Sequence, residues 1–263
     1  MEDLLRLKKE NNNLLFLLGG VDLEMQEIRN ILESQGILYY DKGLGWSNAC
    51  LSAYSEELKE YESKGYKIFG VELKRDIDLP ANYTVIDHHN EYNSRKSSLE
   101  QVADVIGVRL TKKQLLIAAN DSAYIPGMLA LGATDKEIAE IRLMDRKAQG
   151  ATAEDEMRAE ASMREYLYRY KNITTVKSLT PKFSCICDRL YCNDSLLVYT
   201  DSEWTYYGVY KQRLIEHFAD DIAKGKVYYG GSEFGYVGMG QGVLPADQME
   251  IIVKEIVKVI ENA

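Results

Sequence analysis

The run Leu14-Leu15-Phe16-Leu17-Leu18, closed by Gly19-Gly20, offers no polar residue to either of the two faces that a β-strand presents. A strand of that kind needs packed layers on both sides, and the two glycines end it in a tight turn. Further strands are expected at Ile37-Leu38-Tyr39-Tyr40, at Lys67-Ile68-Phe69-Gly70-Val71 and at Tyr83-Thr84-Val85-Ile86. Helical spacing separates them over residues 23–34 and 54–64, and two more helical segments follow at Leu99 to Ile106 and Thr111 to Ala119. Strands alternating with helices predict an α/β fold whose parallel sheet is covered by helices on both faces.

In such a sheet the ligand crevice lies at the carboxyl ends of the strands. Here those ends carry Asp22, Asp41, Glu72 and Asp87. Carboxylates gathered at one edge repel one another unless a cation sits among them. Two of the three histidines, His88 and His89, follow Asp87 directly, where the fourth strand surfaces. A site of Asp22, Glu24, Glu72, His88 and Asp121 combines carboxylates with imidazole, a donor set suited to manganese or magnesium rather than zinc. Ions held there would acidify a water and hold phosphate oxygens, which is the chemistry of phosphoester hydrolysis.

Asp87-His88-His89 after a strand, Glu72 at the preceding strand end, the Asp22-x-Glu24 pair and Ala119-Asn120-Asp121-Ser122 together resemble the DHH phosphoesterase superfamily, which includes RecJ-type exonucleases and nanoRNases. The resemblance covers most of the chain. It implies that Asp22 and Glu24 bind metal, that Glu72 bridges two ions, and that His88 and Asp121 complete the shell with Asp87 behind. His89 would face the phosphate. Gly230-Gly231-Ser232 is similar to the family's glycine-rich substrate-binding segment, where bare amides and a hydroxyl meet anionic oxygens. Three positions depart from the family's pattern: Leu18 stands where a histidine is usual, and Glu24 and Glu72 stand where aspartates are usual. Each glutamate is one methylene longer, so the metals would be displaced or reduced to one.

Several neighbours could join the site. Asp41 and Lys42 end the second strand, Trp46 in the loop 43–48 could lie against a base or pack on helices, and the planar fork of Arg95 matches a phosphate. The chain is expected to divide into a DHH-like domain over 1–133, a helical connector over 134–171 and a smaller α/β domain over 172–263. Within the connector, Arg146 and Lys147 read as a solvated helix face. In the last part, strands are expected at Phe183 to Cys187, Ser195 to Tyr199 and Trp204 to Tyr210, helices at 212–223 and 246–261. Cys185, Cys187 and Cys192 with His217 invite zinc, but no paired C-x-x-C spacing supports it and the alternation reads as a strand.

The net charge, 32 − 41 = −9, opposes a long nucleic-acid track and points to a small nucleotide or a very short oligonucleotide. No apolar stretch is long enough to span a membrane, and the cytoplasm is the expected location; an oligomer is compatible with the sequence. Two functions remain: a manganese- or magnesium-dependent phosphoesterase with one or two ions, or a DHH-fold protein that binds a nucleotide or partner without hydrolysis.

Overall fold

The protein is described by a computed structural model, which describes residues 13–191, 195–230, 235–243 and 246–262. The chain forms two units, divided after Gly150.

Unit 1 is a four-stranded parallel sheet of β1 (Leu14–Leu18), β2 (Leu38–Asp41), β3 (Lys67–Val71) and β4 (Tyr83–Ile86), in the order β2-β1-β3-β4. All three pairings are parallel, with Leu18 opposite both Asp41 and Val71. The apolar run of β1 splits as its period of two requires: Leu14, Phe16 and Leu18 join one cluster, Leu15 and Leu17 another. The first cluster is roofed by α1 (Leu23–Gln35), α3 (Ser98–Ile106), α4 (Lys112–Ala130) and α5 (Asp135–Ala148), with Phe16 stacked on Phe69 at 4.9 Å. The second lies under α2 (Ser55–Ser63) and the turn Leu51–Tyr54. The chain winds from β1 to β2 and then crosses to β3 on the other side of β1. The β1/β3 junction is therefore the switch point at which α/β sheets place their ligands.

Unit 2 is a mixed six-stranded sheet, order β5-β6-β7-β8-β10-β9, with only β6 and β7 parallel. Its strands are β5 (Leu167–Arg169), β6 (Thr174–Lys177), β7 (Ser195–Tyr199), β8 (Trp204–Gly208), β9 (Val227–Gly230) and β10 (Tyr236–Met239). One face carries Leu197, Trp204, Tyr206 and Val237 against α8 (Lys211–His217) and α10 (Met249–Glu261). The other carries Val176, Leu196 and Val198 against α6 (Ala153–Tyr166) and α7 (Ser184–Cys187).

Several expectations change here. Phe183 to Cys187 turns as α7 rather than extending, because Cys185 and Ile186 are buried side by side behind Pro181. The helix expected over 212–223 breaks at Phe218 into α8 and α9 (Ala219–Ala223). The stretch 134–171 is shared: α5 belongs to unit 1, α6 to unit 2, and its end already forms β5. Cys185 donates to Glu156 and His217 pairs with Glu255, so neither shares a metal cluster among the described residues; Cys192 lies outside them.

Candidate metal centre

The turn after β1 begins with Gly19, whose amide donates to the Val71 carbonyl and continues the β1/β3 ladder. A Cβ on Gly19 would stand 2.6 Å from Leu73 Cδ2 and 2.8 Å from the Glu72 carbonyl, so glycine is what lets the two strand ends close. Gly20 has φ +127°, and a Cβ there would point between Asp22 Oδ2 and Glu72 Oε2, 3.8 Å from each. Asp22 then caps α1 through a 2.9 Å bond from the Met25 amide to its Oδ1, which turns Glu24 inward.

Four buried or nearly buried side chains from four segments converge: Glu24, Glu72, His88 and Asp121 present ligand atoms within 4.8 Å of one another. His88 Nε2 lies 2.7 Å from Asp121 Oδ2 and 3.5 Å from an oxygen of each glutamate. These are the distances of hydrogen bonds without their directions. His88 Nε2, Glu24 Oε2, both Glu72 oxygens and Asp121 Oδ2 are all buried and lack an aligned partner. Buried polar atoms are rarely left so, and their shared aim into one small space fits a cation with oxygen and imidazole ligands. Glu72, His88 and His89 make a second, overlapping group.

The charge state agrees with that fit. Burial, with Asp121 and Glu72 close by, raises Asp22 to about 7. Burial likewise raises Glu24 and Glu72 to about 7, with the His88 ring opposing the rise in both. Burial alone would lower His88, but Asp121, Glu24 and Glu72 outweigh it and hold its pKa far above the usual imidazole range. A cation would replace that proton, since metal binding takes the neutral ring and the ionised acids.

The backbone around the cluster is strained. Glu72, Asn90 and Tyr124 are the non-glycine residues with positive φ among the described residues, at 54°, 51° and 55°. Glu72 follows β3, Asn90 follows His89 and Tyr124 lies three residues after Asp121; strain held at such places is a mark of sites that the surrounding structure over-determines.

The other expected residues scatter. Asp87 accepts from both the amide and Nδ1 of His89, at 2.8 and 3.1 Å, so it orients His89 rather than His88. Burial would raise Asp87, yet those bonds leave it below the usual carboxylate range, and Asp87 in turn raises His89. Trp46, half-exposed, stands edge-on to His89 at 5.4 Å. Asp41 is neutralised by Arg29 of α1 and caps the Gly43 amide. Lys42 is held by Glu57 and the Ala53 carbonyl. Arg95 stacks on Tyr92 at 4.1 Å and donates to the Val85 carbonyl. Gly230 ends β9, its carbonyl accepting from Lys211, whereas Gly231 and Ser232 lie outside the described residues. Leu18 is fully buried in the apolar cluster over α1, with Tyr54 Oη donating to its carbonyl.

Asp121 does not follow a helix but sits inside α4, two residues before a kink at Ala123 and Tyr124 that Pro126 explains. Two pairs of neighbours escaped the sequence reading. The amide of Leu99, at the first turn of α3, donates to Glu24 Oε1 at 3.1 Å, and Ser98 beside it draws the Glu72 pKa down against burial. Arg142 and Asp145 of α5 pair at 2.7 Å; Arg142 also donates to Asn120, and Asp145 accepts the Leu23 amide at 3.4 Å. Ser97-x-x-Glu100, a capping box, was the available signal for the first. Nothing local marks the second.

No family model and no curated protein matches the chain. Among solved structures, it is similar to a DHH domain described as a member of a family of ribosomal proteins, at 12% identity, covering 98% of this chain and 89% of that one with a TM-score of 0.49. The pGpG-specific phosphodiesterase PggH from Vibrio cholerae matches at 10% identity over 95% of this chain and 99% of that one, TM-score 0.47. RecJ from Thermus thermophilus in complex with Mn2+ matches at 12% identity over 98% of this chain and 53% of that one, TM-score 0.46. One of the three is described as a DHH domain, the family that Asp87-His88-His89 and its acidic neighbours resemble.

Proposed function

We infer that unit 1 is a divalent-metal-dependent phosphoesterase of DHH type, acting on a small nucleotide or a very short oligonucleotide. The observation that carries this is the convergence of Glu24, Glu72, His88 and Asp121, buried and with their ligand atoms unaligned to any partner. Manganese or magnesium bound by these four residues supplies positive charge for phosphate oxygens and an acidified water. His89, held by Asp87 and kept charged more readily than a free imidazole, donates to a phosphate oxygen. Trp46 shields one edge of His89 and offers an exposed face to a base. Asp22 spends one oxygen on the α1 cap and lies outside the four-residue group, which favours one tightly held ion.

A nucleotide-binding protein without hydrolysis is the second reading, favoured by Leu18, an apolar side chain sealed in the core at the expected histidine position. One experiment separates the two. Purified protein is titrated with Mn2+, the bound ion counted, and turnover of an aryl phosphodiester and of a dinucleotide followed. The enzyme reading expects manganese-dependent turnover that His88→Ala abolishes while the thermal transition survives. Metal bound without turnover of either substrate leaves the second reading; activity unchanged in His88→Ala overturns the proposed centre.

A further inference from the structure

Unit 2 contains a cavity of about 220 Å³ at the turn between β5 and β6, lined by Arg169, Tyr170, Lys171, Ser195 and Tyr210 among others. Its lining side chains include two cations and no carboxylate, in a chain of net charge −9. Neither Arg169 nor Lys171 pairs with a carboxylate among the described residues. Both stand at the surface, so their charge is free to meet a ligand at the mouth. Glu261, at the end of α10, reaches this turn by accepting from the backbone amide of Asn172 at 2.7 Å and is not part of the cavity lining.

A second observation points into the same space. The Tyr210 amide donates to Tyr206 Oη at 3.3 Å, and Tyr206 Oη donates to Ser195 Oγ at 2.9 Å. Ser195 is buried, 3% exposed, and its oxygen is already an acceptor. The proton of Ser195 is the end of this relay and has no acceptor among the described residues. Backbone amide, tyrosine hydroxyl and serine hydroxyl thus form a one-way chain of donors that terminates in a cavity flanked by two cations. The complement of that arrangement is an oxyanion: several acceptor lone pairs and negative charge in a small volume.

We propose that the cavity at the β5–β6 turn binds a phosphate group, carried by a mononucleotide or free in solution, with Ser195 as buried donor and Arg169 and Lys171 as counter-charges. Tyr170, half-exposed beside the cations, gives a nucleotide a ring to stack on and gives free phosphate nothing. The site does not depend on the metal centre of unit 1.

The test uses the full chain, stripped of metal and dialysed, in calorimetric titrations with inorganic phosphate and, separately, with adenosine monophosphate. Saturable binding of at least one is expected. Arg169→Gln with Lys171→Gln, both at exposed positions, should weaken it by roughly tenfold to a hundredfold, and Ser195→Ala by about tenfold, with the thermal transition retained. Tighter binding of the nucleotide, lost with Tyr170→Ala, assigns the phosphate to a nucleotide; equal binding assigns it to free phosphate. Absence of saturation with either ligand, or affinity unchanged in the double variant, overturns the site. Because no metal is present, neither result turns on whether unit 1 is an enzyme.

Discussion

Glu72 shows at the scale of one residue how a site can be costly to its own fold. Its carboxylate is buried, raised to about 7, and set beside Glu24 and Asp121 on a left-handed backbone. One unit of pKa shift is worth about 1.4 kcal/mol, so relieving this charge should stabilise the metal-free protein. Glu72→Gln is predicted to raise metal-free stability at pH 8 by roughly 1–3 kcal/mol in urea unfolding while weakening Mn2+ affinity about tenfold or more. A variant that loses both stability and affinity would contradict the first half. The same residues set the pH dependence. Asp22, Glu24 and Glu72 hold their protons to about pH 7 when folded but only to about pH 4 when unfolded, so the folded state binds more protons between those limits. Stability without metal should therefore fall as pH rises from 5 to 7.5, and the raised pKa of His88 adds to the fall above about pH 6.5. Mn2+ should restore the transition at pH 7.5 and change it little at pH 5; a flat profile without metal would remove this account. Residues such as Glu24, Glu72 and His88 were legible in the sequence because each follows a hydrophobic strand or its turn, and position alone brings strand ends together. Asp41 looked equivalent and is not, because its partner Arg29 lies on a helix whose facing side no local pattern reveals.

Helices rather than strands decide how well the centre is held. The Arg142–Asp145 pair on α5 joins two elements that carry proposed ligands: Asp145 receives an amide of the first turn of α1, and Arg142 reaches Asn120 beside Asp121 on α4. Both are buried, and breaking a buried pair by removing one member costs about 3–5 kcal/mol because it strands the other charge. Arg142→Ala should lower unit 1 stability by that amount and weaken metal binding as well; Arg142→Ala together with Asp145→Ala should recover part of the stability while α1 and α4 remain unclamped. Equal destabilisation by the single and double variants would argue against a clamp. Elements differ in how plainly the chain announces them. Of the four parallel strands β1 is an uninterrupted apolar run and the other three are mostly apolar or aromatic, whereas β6, Thr174–Lys177, has a single apolar residue, Val176, and β5 continues directly from α6 with no breaker between. Phe183 to Cys187 shows the limit from the other side: five alternating residues satisfy a strand pattern, yet a period of two cannot be told from one helical turn over so short a span. Asp121 was displaced for a related reason, since Pro126 bends α4 without ending it.

Across the whole molecule, the two units have separate cores, one built around β1 and α1, the other around Trp204 and α10. The acidity of the chain belongs to neither alone and bears on its choice of substrate. With net charge −9, a 20-residue oligonucleotide gains little from counterion release, so turnover of a dinucleotide should exceed that of the 20-mer by about tenfold at low salt; the reverse order would favour a processive nuclease. The proposed ligands at positions 24, 72, 88 and 121 come from widely spaced stretches of unit 1. An ion gripping all four would act as a removable cross-link, and ligands absent from the unfolded chain make its binding energy part of the folding energy. The protein's lifetime against a protease would then have two clocks: chelation would shorten the one that governs unit 1 and leave the one that governs unit 2 running as before.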